Sequence, residues 1–112
     1  MATIGTLTLT GLSGNKYKFN VYSFDTTFKE LGAIYYISKR TTDSNGKGTH
    51  SKIYIGMTGD LSTRFNNHHK EDCFNKKNAN CKSILIEENK ETRLEIEADL
   101  IESLNPPCNG DI

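Results

Sequence analysis

The chain has 112 residues, 35% of them hydrophobic, and its 14 basic and 14 acidic side chains cancel. That length suits one domain with a modest core. Balanced charge excludes a global field for nucleic acid or membrane surfaces, so any phosphate site has to be local, and no apolar run approaches the ~20 residues of a membrane span.

The opening MATIGTLTLT has neither a basic n-region nor an apolar h-region. No signal peptide is expected, and a cytoplasmic setting is the default. Three cysteines, Cys73, Cys81 and Cys108, form no even set and no C-x-x-C pair, which argues against a disulfide framework. His68, His69, Cys73 and Cys81 have the residue types of a zinc site, but the spacing matches no standard ligand pair, and ordinary thiols are the stronger reading.

In chain order, Leu7 and Leu9 alternate with threonine, and Gly11 to Asn15 is a turn cluster. Lys16 to Ser23 alternates again, with Tyr17, Phe19 and Val21 on one face. This predicts an N-terminal β-hairpin over residues 1–24 with one wet face, its aromatics belonging to a core rather than to a base-stacking platform. Asp25 to Glu30 reads as a loop or a single helical turn. Ala33 to Ser38 is nearly unbroken apolar and aromatic, the composition of a central strand covered on both faces. Thr41 to Ser51 is turn chemistry and predicts an exposed hairpin loop. The strand Lys52 to Met57 returns antiparallel.

Gly56 and Gly59 then bracket a sharp turn, and Asp60 caps a helix from Leu61. Leu61, Arg64, Phe65 and His68 share one face of it at helical spacing. Glu71 to Asn80 is polar and reads as irregular. Lys82 to Glu87 is a further strand. Asn89 caps a last helix that ends at Leu104, where Asn105-Pro106-Pro107 stops it. The expected fold is α+β: a small central antiparallel sheet of three strands, plus the N-terminal hairpin, flanked by helices.

On the last helix Leu94, Ile96, Ala98, Leu100, Ile101 and Leu104 sweep out a broad apolar face, with Glu95, Asp99, Glu102 and Ser103 opposite. Glu97 falls within the apolar side. An inward carboxylate must be paired, protonated or metal-bound, because burying it alone is costly. An ion pair with Arg93 or a lysine is one reading, and a metal ligand or acid–base group is the other. Arg64, His68 and Glu97 thus point inward from two helices, and Tyr35 and Tyr54 stand on adjacent strands. Carboxylate, cation, imidazole and phenol suit phosphodiester hydrolysis, in which a metal neutralises the phosphate and an arginine holds its oxygens.

These residues resemble the GIY-YIG nuclease family. Ala33-Ile34-Tyr35 stands where the first motif would be, and Tyr54-Ile55-Gly56 is the second. Arg64, His68, Glu97, Pro106 and Asn109 follow in order. The resemblance covers residues 32–109 as a nuclease module within a single domain of residues 1–112. Ala33 replaces the first motif's glycine, the two tyrosines are nineteen apart, and no lysine follows the second motif.

The resemblance implies a metal-dependent endonuclease acting on DNA rather than RNA, with one Mg²⁺ or Mn²⁺ ion held by Glu97. Arg64 would stabilise charge on the phosphate, and Tyr54 or Tyr35 would deprotonate or position water. His68 would assist proton transfer or bind phosphate, with Thr58 as a further phosphate contact. Gly56 and Asn109 would support the site. The alternative is a catalytically weak or inactive nucleic-acid-binding module that works with a partner protein or as a homodimer. The hairpin and the Thr41–Ser51 loop are the segments left to select a target. No membrane partner is expected.

Overall fold

The computed structural model describes residues 3–65 and 70–109. Its elements are β1 (Gly5–Thr10), β2 (Lys16–Ser23), β3 (Ala33–Thr42), β4 (Gly48–Thr58), α1 (Leu61–Arg64), α2 (Glu71–Lys76), β5 (Cys81–Ile86) and α3 (Lys90–Leu104). All five strands form one antiparallel sheet in the order β1-β2-β5-β3-β4. The sheet curls into a half-barrel.

This corrects the expected arrangement of three strands with the hairpin added outside. β5 pairs on both sides, with β3 from Ala33↔Ile86 to Ser38↔Cys81 and with β2 from Asn20↔Ile84 to Ser23↔Cys81. The hairpin is therefore an integral part of the sheet. Period-two alternation says which face of a strand is buried but is silent about which edge finds a neighbour.

A second link fixes the hairpin. The Asp99 carboxylate on α3 accepts hydrogen bonds from the Ser13 N–H (2.9 Å), the Ser13 hydroxyl (2.7 Å) and the Tyr17 hydroxyl (2.8 Å). The Ser13 bonds come first among the interactions that hold the Asp99 carboxyl below its ordinary range. Gly11 passes so close that any side chain there would strike the same carboxylate. Asp99 lies on the solvated face as expected, and from there it ties the β1–β2 turn to the last helix.

β3 is the buried strand its composition predicts. Ile34 and Tyr36 pack with Phe19, Ile55, Ile96 and Leu100 on one side of the sheet, whereas Tyr35 and Ile37 pack with Ile53, Leu61 and Phe74 on the other. The β3–β4 loop is shorter than expected, because the strands continue to Thr42 and resume at Gly48. Asp43 closes its tip by accepting from the N–H groups of Asn45 and Lys47, each at 2.9 Å.

α1 ends at Arg64, and Asp60 caps it as expected, accepting from the Ser62 N–H at 2.9 Å. α2 lies in the stretch read as irregular, and its anchor is Phe74, only 2% exposed. One buried ring among polar residues gives no helical period to detect. α3 has the expected limits, with Asn89 accepting from the Thr92 N–H at 3.0 Å. Ile96 and Leu100 are buried, but Leu94 is 45% exposed and Arg93 is buried in its place.

After α3, Asn105 adopts a left-handed conformation (φ 44°) and turns the chain back along β4. The Cys108 N–H then donates to the Ile53 carbonyl at 2.9 Å. Cys108 is also joined to Cys73 of α2 by a disulfide, and Cys81 remains a buried thiol. This overturns the expectation of three ordinary thiols. An odd count forbids a complete set of pairs, not a single one. Among the described residues no helix is long and apolar enough to cross a membrane.

Candidate functional site

Four of the residues singled out in the sequence come together, each from a different element. Tyr35 lies on β3, Tyr54 on β4, Arg64 at the end of α1 and Glu97 on α3. The register explains the first two: Tyr35 sits opposite Gly56, and Tyr54 opposite Ile37, so both rings rise from the same side of the sheet. Their ring centroids are 6.0 Å apart. A Cβ on Gly56 would run into the Tyr35 hydroxyl and the Tyr54 ring, so this position admits only glycine.

The Arg64 Nε donates to the Tyr35 hydroxyl at 2.8 Å, and its Cζ lies 5.6 Å from the centre of that ring. Phe65, the next residue, packs edge-on against Tyr35 at 5.0 Å. The short helix α1 is thus pinned by its own arginine and phenylalanine. Arg64 also acts electrostatically on Tyr54 and on Glu97, and Glu97 acts on Tyr54.

Burial sets the protonation of the group. It pushes the Tyr35 hydroxyl far above the ordinary phenol range, with the neighbouring Tyr54 adding to the rise and Arg64 opposing it. Tyr54 is raised too, by burial first, with Arg64 pulling down and Glu97 pushing up. Burial likewise raises the half-buried Glu97 carboxyl, and Arg64 is the cation that counters it. Both phenols are neutral at pH 7.

Of the readings open for Glu97, an ion pair with Arg93 is not formed. Arg93 instead donates from Nη1 to the carbonyls of Glu87 (2.9 Å) and Glu88 (3.0 Å), and Glu88 accepts from the Gly32 N–H at 2.6 Å. Arg93 therefore holds the β5–α3 loop against the start of β3. One helical turn separates it from Glu97, yet Nη1 bonds those carbonyls and Nε is buried without a partner among the described residues.

Asn109 anchors the end of the described chain. Its amide accepts from the Ile55 N–H and donates to the Ile55 carbonyl, both at 2.8 Å. One side chain thus mimics a strand partner for β4 immediately before Gly56. Thr58, expected to contact phosphate, is otherwise employed: its hydroxyl accepts from the Asp60 N–H (3.0 Å) and donates to the Asp60 carbonyl (3.2 Å). Its single proton is committed to the turn. His68 and His69 lie outside the described residues.

Among the described residues no group of three or more His, Cys, Asp or Glu side chains gathers in metal-binding range. The zinc reading on His69, Cys73 and Cys81 loses a ligand, because the Cys73 sulfur is bonded to Cys108. A magnesium-type ion has a lesser requirement: one or two carboxylates, with water and substrate phosphate completing the shell. Glu97 meets that minimum, as a carboxylate within electrostatic reach of Arg64 and Tyr54.

Sequence reasoning missed Lys82. It lies on β5 opposite Ile37 and Tyr22, in the same cross-sheet row as Tyr54, and is only 6% exposed. The signal was available, since Lys82 is in phase with Ile84 on a strand buried on both faces. No family model matches this chain, and comparison with curated proteins and with solved structures gives no match.

Proposed function

We propose that the chain is a metal-dependent endonuclease hydrolysing phosphodiester bonds in DNA, its site residues following the GIY-YIG pattern on a five-stranded sheet. The observation that carries this reading is that Tyr35 and Tyr54 pack together over Gly56, Arg64 donates to Tyr35, and Glu97 lies within electrostatic reach of Arg64 and Tyr54. In this reading Arg64, steadied by the Tyr35 hydroxyl, binds the non-bridging oxygens of the scissile phosphate. Tyr54, nearer to Glu97, positions the attacking water through its hydroxyl. Glu97 would hold one Mg²⁺ or Mn²⁺ ion, which neutralises phosphate charge when bound. A partner protein or a second copy would choose the target. A cytoplasmic setting belongs to the same reading, and there the Cys73–Cys108 pair would be exposed to thiol exchange.

The test is cleavage of plasmid, single-stranded and branched DNA with Mg²⁺ or Mn²⁺, alongside the Glu97→Ala variant. Cleavage by the parent that disappears in the variant supports the reading. Equal cleavage by both removes Glu97 from the mechanism.

One observation favours a second reading, a nucleic-acid-binding module without turnover. The site offers a single carboxylate, and burial raises it. DNA binding that is indifferent to Mg²⁺, with no cleavage of any substrate, would select this alternative.

A further inference from the structure

Beside the tyrosines, on the same side of the sheet, lies a cavity of about 160 Å³ between the β2–β3 loop and α1. Lys82 forms part of its wall, with Phe28 and Phe65, and Thr27 and Ser62 also line it. The Lys82 ammonium sits 4.0 Å from the Phe65 ring centre, 4.9 Å from Phe24 and 5.9 Å from Phe28. Among the described residues no hydrogen bond holds it, and the carboxylate that acts on it electrostatically is Asp25, in the same cavity wall. Burying an ammonium is costly, and three ring faces recover only part of that cost. Apart from those rings and the Asp25 charge, the ammonium faces the cavity with no hydrogen-bond acceptor from the described residues.

The surroundings name the chemistry. Thr27, at the exposed rim, has a hydroxyl and an N–H without partners among the described residues. Asp25 is the one carboxylate in the lining, and the Ser23 hydroxyl engages it at 2.6 Å. Burial lowers the Lys82 ammonium to about 8, so it is still charged at neutral pH. Phe65 touches both this ammonium and the Tyr35 ring.

We infer that Lys82 and its cavity form a phosphate-binding subsite next to Tyr35 and Arg64. A phosphate oxygen accepts from the ammonium and from Thr27, which completes donors that the fold leaves open. A phosphate within a DNA strand and a free phosphate both supply this chemistry.

The test uses the full chain in EDTA, titrated with inorganic phosphate and separately with a short single-stranded oligonucleotide, followed by calorimetry and amide NMR shifts. Phosphate should move the amides of Thr27, Ser62 and Lys82, in the parent and in Arg64→Ala alike. Lys82→Met should bind it at least tenfold more weakly while melting at or above the parent's temperature. Asp25→Asn should bind it severalfold more tightly. Phosphate affinity in Lys82→Met equal to the parent's, shifts confined to the Arg64 side, or no phosphate binding at all would overturn the assignment.

Should Lys82→Met not fold, Thr27→Val at the rim takes its place: a severalfold loss supports the subsite, and unchanged affinity overturns it. Loss of both ligands in Lys82→Met assigns the phosphate to a strand, and loss of inorganic phosphate alone assigns it to a free ion. A protein that cuts no DNA but loses phosphate in Lys82→Met keeps the subsite and fails only as a nuclease.

Discussion

Arg64 reaches Tyr35 through Nε, its side-on nitrogen, at 2.8 Å. That bond does not use the two terminal nitrogens of the guanidinium, whose charge acts on both Glu97 and Tyr54.

Tyr35→Phe removes that bond together with the hydroxyl's interaction with Tyr54, while the ring contacts to Phe65 and Tyr54 survive. Stability should fall by about 1 kcal/mol in urea unfolding, the worth of one ordinary hydrogen bond. DNA cleavage should fall further, by about tenfold, because the arginine loses its fixed pose. A variant that cuts as fast as the parent would show that the phenol does not position Arg64.

Glu97 gives a pH dependence. Its carboxyl is raised by burial, so the folded state keeps a proton that the unfolded chain, titrating near ~4.3, has already released. Stability contributed by the protonated form is full below ~4.3 and is lost as pH climbs through the folded value. Mg²⁺ competes with the same proton, so its affinity should rise over that interval. Calorimetric Mg²⁺ titrations at several pH values check this, and Glu97→Gln should abolish the response. Affinity that is flat with pH would place the ion elsewhere.

Lys82 acts at the other end of the scale. The folded ammonium titrates at about 8, and an unfolded lysine near ~10.4. Between those values the unfolded chain holds more protons, so stability should rise with pH and level off at the upper limit. Tyr36, pushed up to about 12 by burial, opposes this above ~10, where an unfolded tyrosine releases its proton first. The buried Cys81 thiol, raised by burial, works against Lys82 over the same range, so urea midpoints between pH ~8 and ~10 should rise more in the parent than in Lys82→Met. Identical slopes would clear Lys82 of the effect.

Asn109→Ala removes both bonds to Ile55 and leaves a part-buried N–H and carbonyl on the outer edge of β4. The expected cost is about 1–3 kcal/mol. Amide exchange at Ile55 should accelerate more than at Leu7 on the far edge. Uniform acceleration would mean that the tail does not protect β4 in particular.

The cysteines give a direct count. Denatured without reductant, the chain should expose one titratable thiol, from Cys81, and three after reduction. Reduction should cost about 2–4 kcal/mol, since the bond spans 35 residues. Three thiols before reduction would remove the Cys73–Cys108 bond.

The elements were legible where one period ran long enough to be read. The alternation of Lys16 to Ser23 and the apolar run from Ala33 gave strands, and Asn89 with Asn105-Pro106 bounded α3. Helical spacing put Glu97 on the apolar side of α3, where it is half-buried, but it also put Leu94 and Ala98 there, and both are exposed. What could not be read was edge-to-edge: that β2 would seek β5, that Asp99 would clasp Ser13, and that Cys73 would meet Cys108. Each joins residues far apart in the chain through groups that leave no local pattern. α2 was missed because Phe74 is its only fully buried residue.

The position of β5 has a consequence for how the molecule assembles. β1–β2 and β3–β4 are each local hairpins, and β5, later in the chain, enters between them. Two-stranded hairpins are marginal in water, so neither has much life without the strand that separates them. Folding therefore waits on distant contacts made by β5, which slows it and leaves few stable halfway forms. Withdrawing β5 would divide the sheet in two and carry Lys82 away from Phe65. Sheet, cavity and tyrosine pair should appear and vanish in a single transition.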